Sequence, residues 1–187
     1  MRRILMGLLG LMLMFVVSGC GITTALDIYS FGNKVVNVGA SEIIVPTPFD
    51  LGKLANPTIT DDGYPITVYQ NGDANFITTI KAMTAAPGKP LPTPLARAEY
   101  SRDHEYKHYF GDSLQWENTE ITLDGVPAVE STGSYTVKNK QIRFLQYTFI
   151  SNGVLWNIAY QYAADSTVGA EALKLVEGKI QIIKKEG

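Results

Sequence analysis

The chain has 187 residues, 45% of them hydrophobic and 18% charged, with 16 basic and 18 acidic side chains and a formal net charge of −2. That length supports one domain with a sizeable core and leaves little room for two. Beyond Arg2-Arg3 the basic residues never cluster more than Lys184-Lys185, so the charge footprint of nucleic-acid binding is missing and no nucleic-acid partner is expected.

Arg2 and Arg3 precede an uncharged apolar run, Ile4 to Val17, followed by Ser18 and Gly19. This is the pattern of a secretory signal over residues 1–19. As a helix the run would rise only about 21 Å against a hydrocarbon core of roughly 30 Å, so a permanent membrane span is the weaker reading. The quartet Val17-Ser18-Gly19-Cys20 resembles the lipobox of bacterial lipoproteins, which implies cleavage before Cys20 and acylation, as by palmitate, of that residue. Cys20 is the only cysteine. An exported chain with no pair for a disulfide fits a thiol consumed by lipid. Two or three acyl chains, at about 0.8 kcal/mol per buried methylene, hold a protein far more firmly than one. The mature protein is therefore expected to be lipid-anchored at the extracytoplasmic face of a cell membrane or outer membrane. Loss of Arg2 and Arg3 leaves 14 basic against 18 acidic residues, a net charge of −4.

Residues 20–34 read as the lipidated Cys and a tether, and residues 35–187 as the domain. Val35 to Val38 and Ile43 to Val45 are short strands around Gly39, the second ended by Pro46 and Pro48. Phe49 to Gly63 reads as loop. Tyr64 to Gln70 and Ala74 to Met83 form a hairpin about the turn Asn71-Gly72-Asp73. After the prolines of 87–94, Thr93 caps a helix with Pro94 in its first turn and Gly111 at its end. Its apolar face holds Leu95, Ala98, Tyr106, Tyr109 and Phe110.

The short strand Glu120 to Leu123, the turn Asp124-Gly125 and the long strand Val126 to Val137 follow. Pro127, Val129, Tyr135 and Val137 are that strand's more apolar set, which favours a three-residue loop, Lys138-Asn139-Lys140, and places them on the core face. The next hairpin can be registered residue by residue, because Asn152-Gly153 suits a two-residue type I′ turn. One face then pairs Phe149 with Trp156, Tyr147 with Ile158, Leu145 with Tyr160 and Arg143 with Tyr162. The other pairs Ile150 with Leu155, Thr148 with Asn157, Gln146 with Ala159 and Phe144 with Gln161, a mixed set that calls for partial cover. A final helix, capped by Asp165 or Ser166, carries Val168, Ala172, Val176, Ile180 and Ile183 at helical spacing and should cover the aromatic face. Gly169 and Gly178 should weaken it by up to about 1 kcal/mol each.

Both histidines fall in His104-Glu105-Tyr106-Lys107-His108, an H-E-x-x-H pattern. Residues four apart share a helix face, so both imidazoles could ligate zinc while Glu105 activates a bound water. Against a zinc-dependent hydrolase stand the position of both histidines off the apolar face, the cation of Lys107, and the lack of a third ligand better than Asp112, Glu117 or Glu120. A solvated face with i, i+4 pairing is favoured, so no catalytic, metal or cofactor site is assigned and no cofactor is expected. Tyr135, Tyr147, Phe149, Trp156, Tyr160 and Tyr162 could line a pocket for a small hydrophobic ligand, although alternating aromatics more often form plain core. Arg143 on that apolar face implies a strand end in water or a buried partner such as Glu130.

Asp124-Gly125-Val126-Pro127-Ala128, Asn139-Lys140, Gln146-Tyr147-Thr148-Phe149 and Asn152-Gly153, set in a strand-strand-strand-strand-helix order, resemble the PsbP and DcrB-like lipoproteins. The resemblance implies an α+β fold, an antiparallel sheet of about six strands flanked by helices in a single domain. It also implies a non-enzymatic envelope protein with no shared catalytic residues. The expected function is a membrane-anchored binding or assembly module with an envelope protein as possible partner.

Overall fold

Asn152 and Gly153 both adopt positive φ, 44° and 72°, and close a two-residue turn between β9 (Lys140–Ser151) and β10 (Val154–Ala163). Every pair expected for this hairpin is present, from Ile150 opposite Leu155 to Arg143 opposite Tyr162. The computed structural model describes residues 29–54 and 59–184, with the side chains of 59–61 outside that description. The signal segment 1–19, Cys20 and most of the tether lie outside the described residues.

The hairpin sits in the middle of an antiparallel sheet. Beside β10 come β6 (Phe76–Thr84), β5 (Tyr64–Gly72) and the short β3 (Gly52–Lys53); beside β9 come β8 (Val126–Val137) and β7 (Gln115–Leu123). β4 (Ile59–Asp61) also pairs with β5. Six long strands make the body of this eight-stranded sheet, and the chain is α+β with the expected central architecture.

A second sheet was not expected. β1 (Gly32–Val38), β2 (Ser41–Thr47) and β11 (Gln181–Ile183) form it in that order. Together with α3 (Thr167–Val176), capped by Ser166 Oγ accepting from Gly169 N at 3.0 Å, it lies on the aromatic face of the main sheet. Ile43, Val45, Ala172 and Val176 join Phe76, Tyr147, Phe149, Trp156 and Tyr160 in one buried cluster. Two polar handles in this core are satisfied across the layers, since Trp156 Nε1 donates to Ser41 Oγ at 2.9 Å and Tyr160 Oη to the Pro46 carbonyl at 3.2 Å. Part of the expected tether is domain, because Tyr29 and Phe31 pack against this cluster and Tyr29 Oη donates to Asp73.

Several expectations require correction. The final helix stops at Val176: Gly178 takes φ +67°, Ile180 is buried in the link that follows, and Ile182 is buried within β11, not in a helix. The spacing of Val176, Ile180 and Ile183 fits a helix, yet the alternation of Ile180 with Ile182 fits an extended chain equally, and the open edge of β2 decided it. The β8–β9 loop is two residues, with Lys138 and Asn139 at φ 46° and 64° and Val137 opposite Lys140. That register moves Tyr135 opposite Ile142, off the aromatic face, and sets Glu130 opposite Tyr147. Burial on both sheet faces removes the premise that the apolar set must take the aromatic side. The β5–β6 turn is Asp73-Ala74-Asn75, because Asp73 Oδ1 accepts from the backbone N–H of Asn75 (2.7 Å) and Phe76 (3.0 Å). The stretch from Phe49 to Gly63 contains β3 and β4, β7 begins at Gln115, and β2 continues through Pro46 to Thr47. Arg143 is exposed at its strand end, the first of its two alternatives.

Gly169 is required by contact, not tolerated at a cost. A Cβ there would stand 2.5 Å from the Asn75 carbonyl oxygen and 2.6 Å from Tyr162 Cβ. Gly169→Ala should therefore destabilise the domain by about 1–3 kcal/mol, against the ~1 kcal/mol gain that helix propensity alone gives, as read from urea unfolding midpoints.

The buried tyrosines set an alkaline limit. Burial, reinforced by the bond to Asp73 and its charge, pushes the Tyr29 hydroxyl up to about 12, and burial raises Tyr147 and Tyr160 further still. The folded state thus holds these protons more tightly than the unfolded chain, where tyrosine titrates near ~10. Their contribution is intact below about pH 10 and is lost as the pH rises toward the folded values. Phenolate absorbance from these rings should appear together with loss of near-UV circular dichroism, not before it.

Candidate functional site

The second face of the main sheet is roofed by one irregular helix. α1 (Pro94–Tyr100) starts with Thr93 Oγ1 accepting from Ala96 N at 3.2 Å, runs into a π-helical turn, Ser101–Tyr106, and ends as α2 (Lys107–Phe110) before Gly111. A π turn holds an extra residue, which rotates everything after it. The inner face becomes Arg97, Ala98, Ser101, Glu105, Tyr106 and Phe110, while Tyr109, expected inside, is 76% exposed.

Glu105 is the pivot of this roof. Its carboxylate accepts from Arg97 Nη2 on one side and from Lys81 Nζ of β6, at 2.9 Å, on the other. Arg97 is 3% exposed, so its guanidinium is a buried charge that depends on this neutralisation. In a regular α-helix, positions eight apart diverge by about 80°, and the Arg97–Glu105 pair is out of reach of such a reading. The π turn brings the two together.

Tyr106 is the other anchor. Its ring packs 5.0 Å from Trp116, 5.3 Å from Phe144 and 5.7 Å from Tyr135, and its hydroxyl accepts from Gln161 Nε2 at 3.0 Å. Burial first, and the nearby Tyr135 hydroxyl next, push the Tyr106 hydroxyl well above its ordinary value. Phe110 stacks on Tyr135 at 3.9 Å, which explains why Tyr135 belongs to this face.

Between roof and sheet lies a cleft of about 430 Å³. Its floor is a row of polar side chains on neighbouring strands, Thr79 of β6, Asn157 and Gln161 of β10 and Gln146 of β9; its walls are Val68, Leu54 and the rings of Tyr106, Tyr109, Phe110 and Tyr135. Asn157 Nδ2 donates to Thr148 Oγ1 at 3.1 Å and Gln161 is bound to Tyr106. Gln146 is 1% exposed, and its Nε2 has no hydrogen-bond partner. The sequence marked this face as mixed and partly covered, but no signal in it announced a cleft.

The H-E-x-x-H residues separate. His104 stacks on Tyr100 at 4.5 Å and His108 meets Tyr109 edge-on at 5.0 Å, both exposed, whereas Glu105 points under the helix. Asp112 lies on the turn Gly111–Ser113, and Glu117 and Glu120 on β7. Among the described residues no three His, Cys, Asp or Glu side chains are placed to hold a metal. On the aromatic face Tyr147, Phe149, Trp156 and Tyr160 are each at most 1% exposed, packed under the small sheet and α3. No helix among the described residues is long and apolar enough to cross a membrane.

Fold and site together define an α+β domain whose sheet is covered on both faces and holds a cleft under a π-helical roof. No protein-family model matches the chain, and no curated protein matches it. Among solved structures, LpqN of Mycobacterium tuberculosis, described as involved in cell envelope biogenesis, is similar at 20% identity, over 87% of this chain and 97% of that one, with a TM-score of 0.47. PA94 of Pseudomonas aeruginosa, of unknown function, is similar at 8% identity, over 83% and 99%, with a TM-score of 0.44. Likeness at this level carries no functional argument.

Glu105→Gln should cost about 2–3 kcal/mol, because it takes the carboxylate from a buried guanidinium. His104→Ala and His108→Ala should each stay within about 0.5 kcal/mol of the parent. Urea unfolding of the three variants checks the difference; equal losses would mean that the histidines hold the roof as much as the glutamate does.

Proposed function

We propose that the chain is a lipid-anchored envelope lipoprotein, held at the extracytoplasmic face of a cell membrane or outer membrane through Cys20, that acts as a non-catalytic binding or assembly module. The observation that carries the role is the cleft between the roof helix and the sheet, with apolar walls, a few polar groups on its floor and a volume typical of binding sites. The address is supported by the uncharged run from Ile4 to Val17 ending in Val17-Ser18-Gly19-Cys20, and by the lack of any second cysteine. The PsbP/DcrB-like order of turns and strands supports a body without catalytic residues. A partner protein of the envelope, or a small ligand, would then meet the domain on its roofed face.

The zinc-hydrolase alternative asks Glu105 to activate a metal-bound water between His104 and His108. The commitment of that carboxylate to Arg97 and Lys81 speaks against it. Metabolic labelling with a fatty-acid analogue should mark the wild-type chain and leave Cys20→Ser unmarked; an unlabelled wild type would end the anchor reading. Stoichiometric zinc retained through dialysis and lost in His108→Ala would overturn the non-catalytic one.

A further inference from the structure

Gln146 stands out in the cleft because both amides of the adjacent β10 strand are used. Asn157 and Gln161 donate to Thr148 and Tyr106, while Gln146 Nε2, on a side chain 1% exposed, donates to nothing. A buried donor left unpaired is costly, and native structures keep few of them. Single exposed apolar side chains need no explanation, but Leu54 and Tyr109 both stand on the rim of this cleft, and Val137 on an adjoining hollow that shares Tyr135 and Gln161 with it. The charges that reach the cleft are matched, Lys81 to Glu105 at 2.9 Å and Glu105 to Arg97. A charged ligand would find no counter-charge to spare on Lys81.

We propose that the cleft binds an uncharged amphipathic molecule, its apolar body against Tyr109, Phe110 and Tyr135 and a carbonyl oxygen accepting from Gln146 Nε2. The π turn serves this site by rotating Tyr109 outward to the rim while holding Tyr106 and Glu105 down on the sheet. The inference deepens the binding-module reading and rests on it only in that the domain binds a ligand; it does not depend on Cys20 being acylated.

The test uses the full chain carrying Cys20→Ser, so that no attached acyl chain competes, titrated with two neutral naphthalenes. Prodan carries a ketone; N-phenyl-1-naphthylamine has no carbonyl. Prodan should bind saturably with its emission shifted to shorter wavelength. Gln146→Leu and, as a second variant of similar length, Gln146→Met should each weaken Prodan about tenfold and leave N-phenyl-1-naphthylamine unchanged, with folding checked by near-UV circular dichroism. Tyr109→Ala should weaken both probes. Failure of Prodan to bind, or equal Prodan affinity with and without the Gln146 amide in a folded variant, overturns the proposal, as does parallel weakening of both probes by the Gln146 variants. Acylation of Cys20 in the wild type with no Prodan binding would remove this inference alone; Prodan binding without acylation would remove the anchor alone.

Discussion

Both faces of the β9–β10 hairpin are buried, and most of the remaining structure follows from that constraint. A two-sided sheet exposes apolar side chains in both directions, so it needs two covering layers, and a chain of this length has only a few segments to supply them. The aromatic side takes the stronger cover, with α3 and the β1-β2-β11 sheet closing over Trp156, Tyr147 and Tyr160. Buried rings with polar tips impose a further demand, met by Ser41, the Pro46 carbonyl and the Gly178 amide, which donates to Tyr147 Oη at 2.9 Å. The small sheet is thus tied to the large one by directional bonds as well as by apolar contact.

The opposite side is covered differently. There the strands present Thr148, Asn157, Gln146 and Gln161 among the apolar residues, and a regular amphipathic helix could not lie on such a surface without leaving polar groups unpaired. The π turn resolves the mismatch by placing a carboxylate, a hydroxyl and an aromatic ring at the positions where the sheet offers Lys81, Gln161 and Phe144. The fit is incomplete at Gln146 Nε2, in the cleft, and at Ser101 Oγ on the helix itself. The residues that hold the helix down, Glu105 and Tyr106, also form the wall beside the opening.

The same helix separates the residues of the H-E-x-x-H pattern. H-E-x-x-H reads as a metal site only if the glutamate and both histidines serve one space. Here the rotation of the π turn sends Glu105 to the sheet and leaves His104 and His108 in water against Tyr100 and Tyr109.

What the sequence determined by itself was local or periodic. Asn152-Gly153 admits one turn type, and strict alternation then settles every pair of the central hairpin; Thr93-Pro94 and Gly111 mark the ends of the roof helix because capping needs only neighbouring residues. The apolar run ending at Cys20 is likewise legible without a fold. Only the tertiary structure decided features in which two local solutions were close in energy and a distant partner chose between them. Ile182 and Ile183 became strand because β2 had an open edge, Tyr135 changed face because Phe110 was there to stack on it, and the roof took a π turn because Arg97 and Lys81 both required Glu105. Local pattern ranks the conformations of a segment; burial of a charge or an aromatic ring against a distant residue carries enough free energy to reorder them.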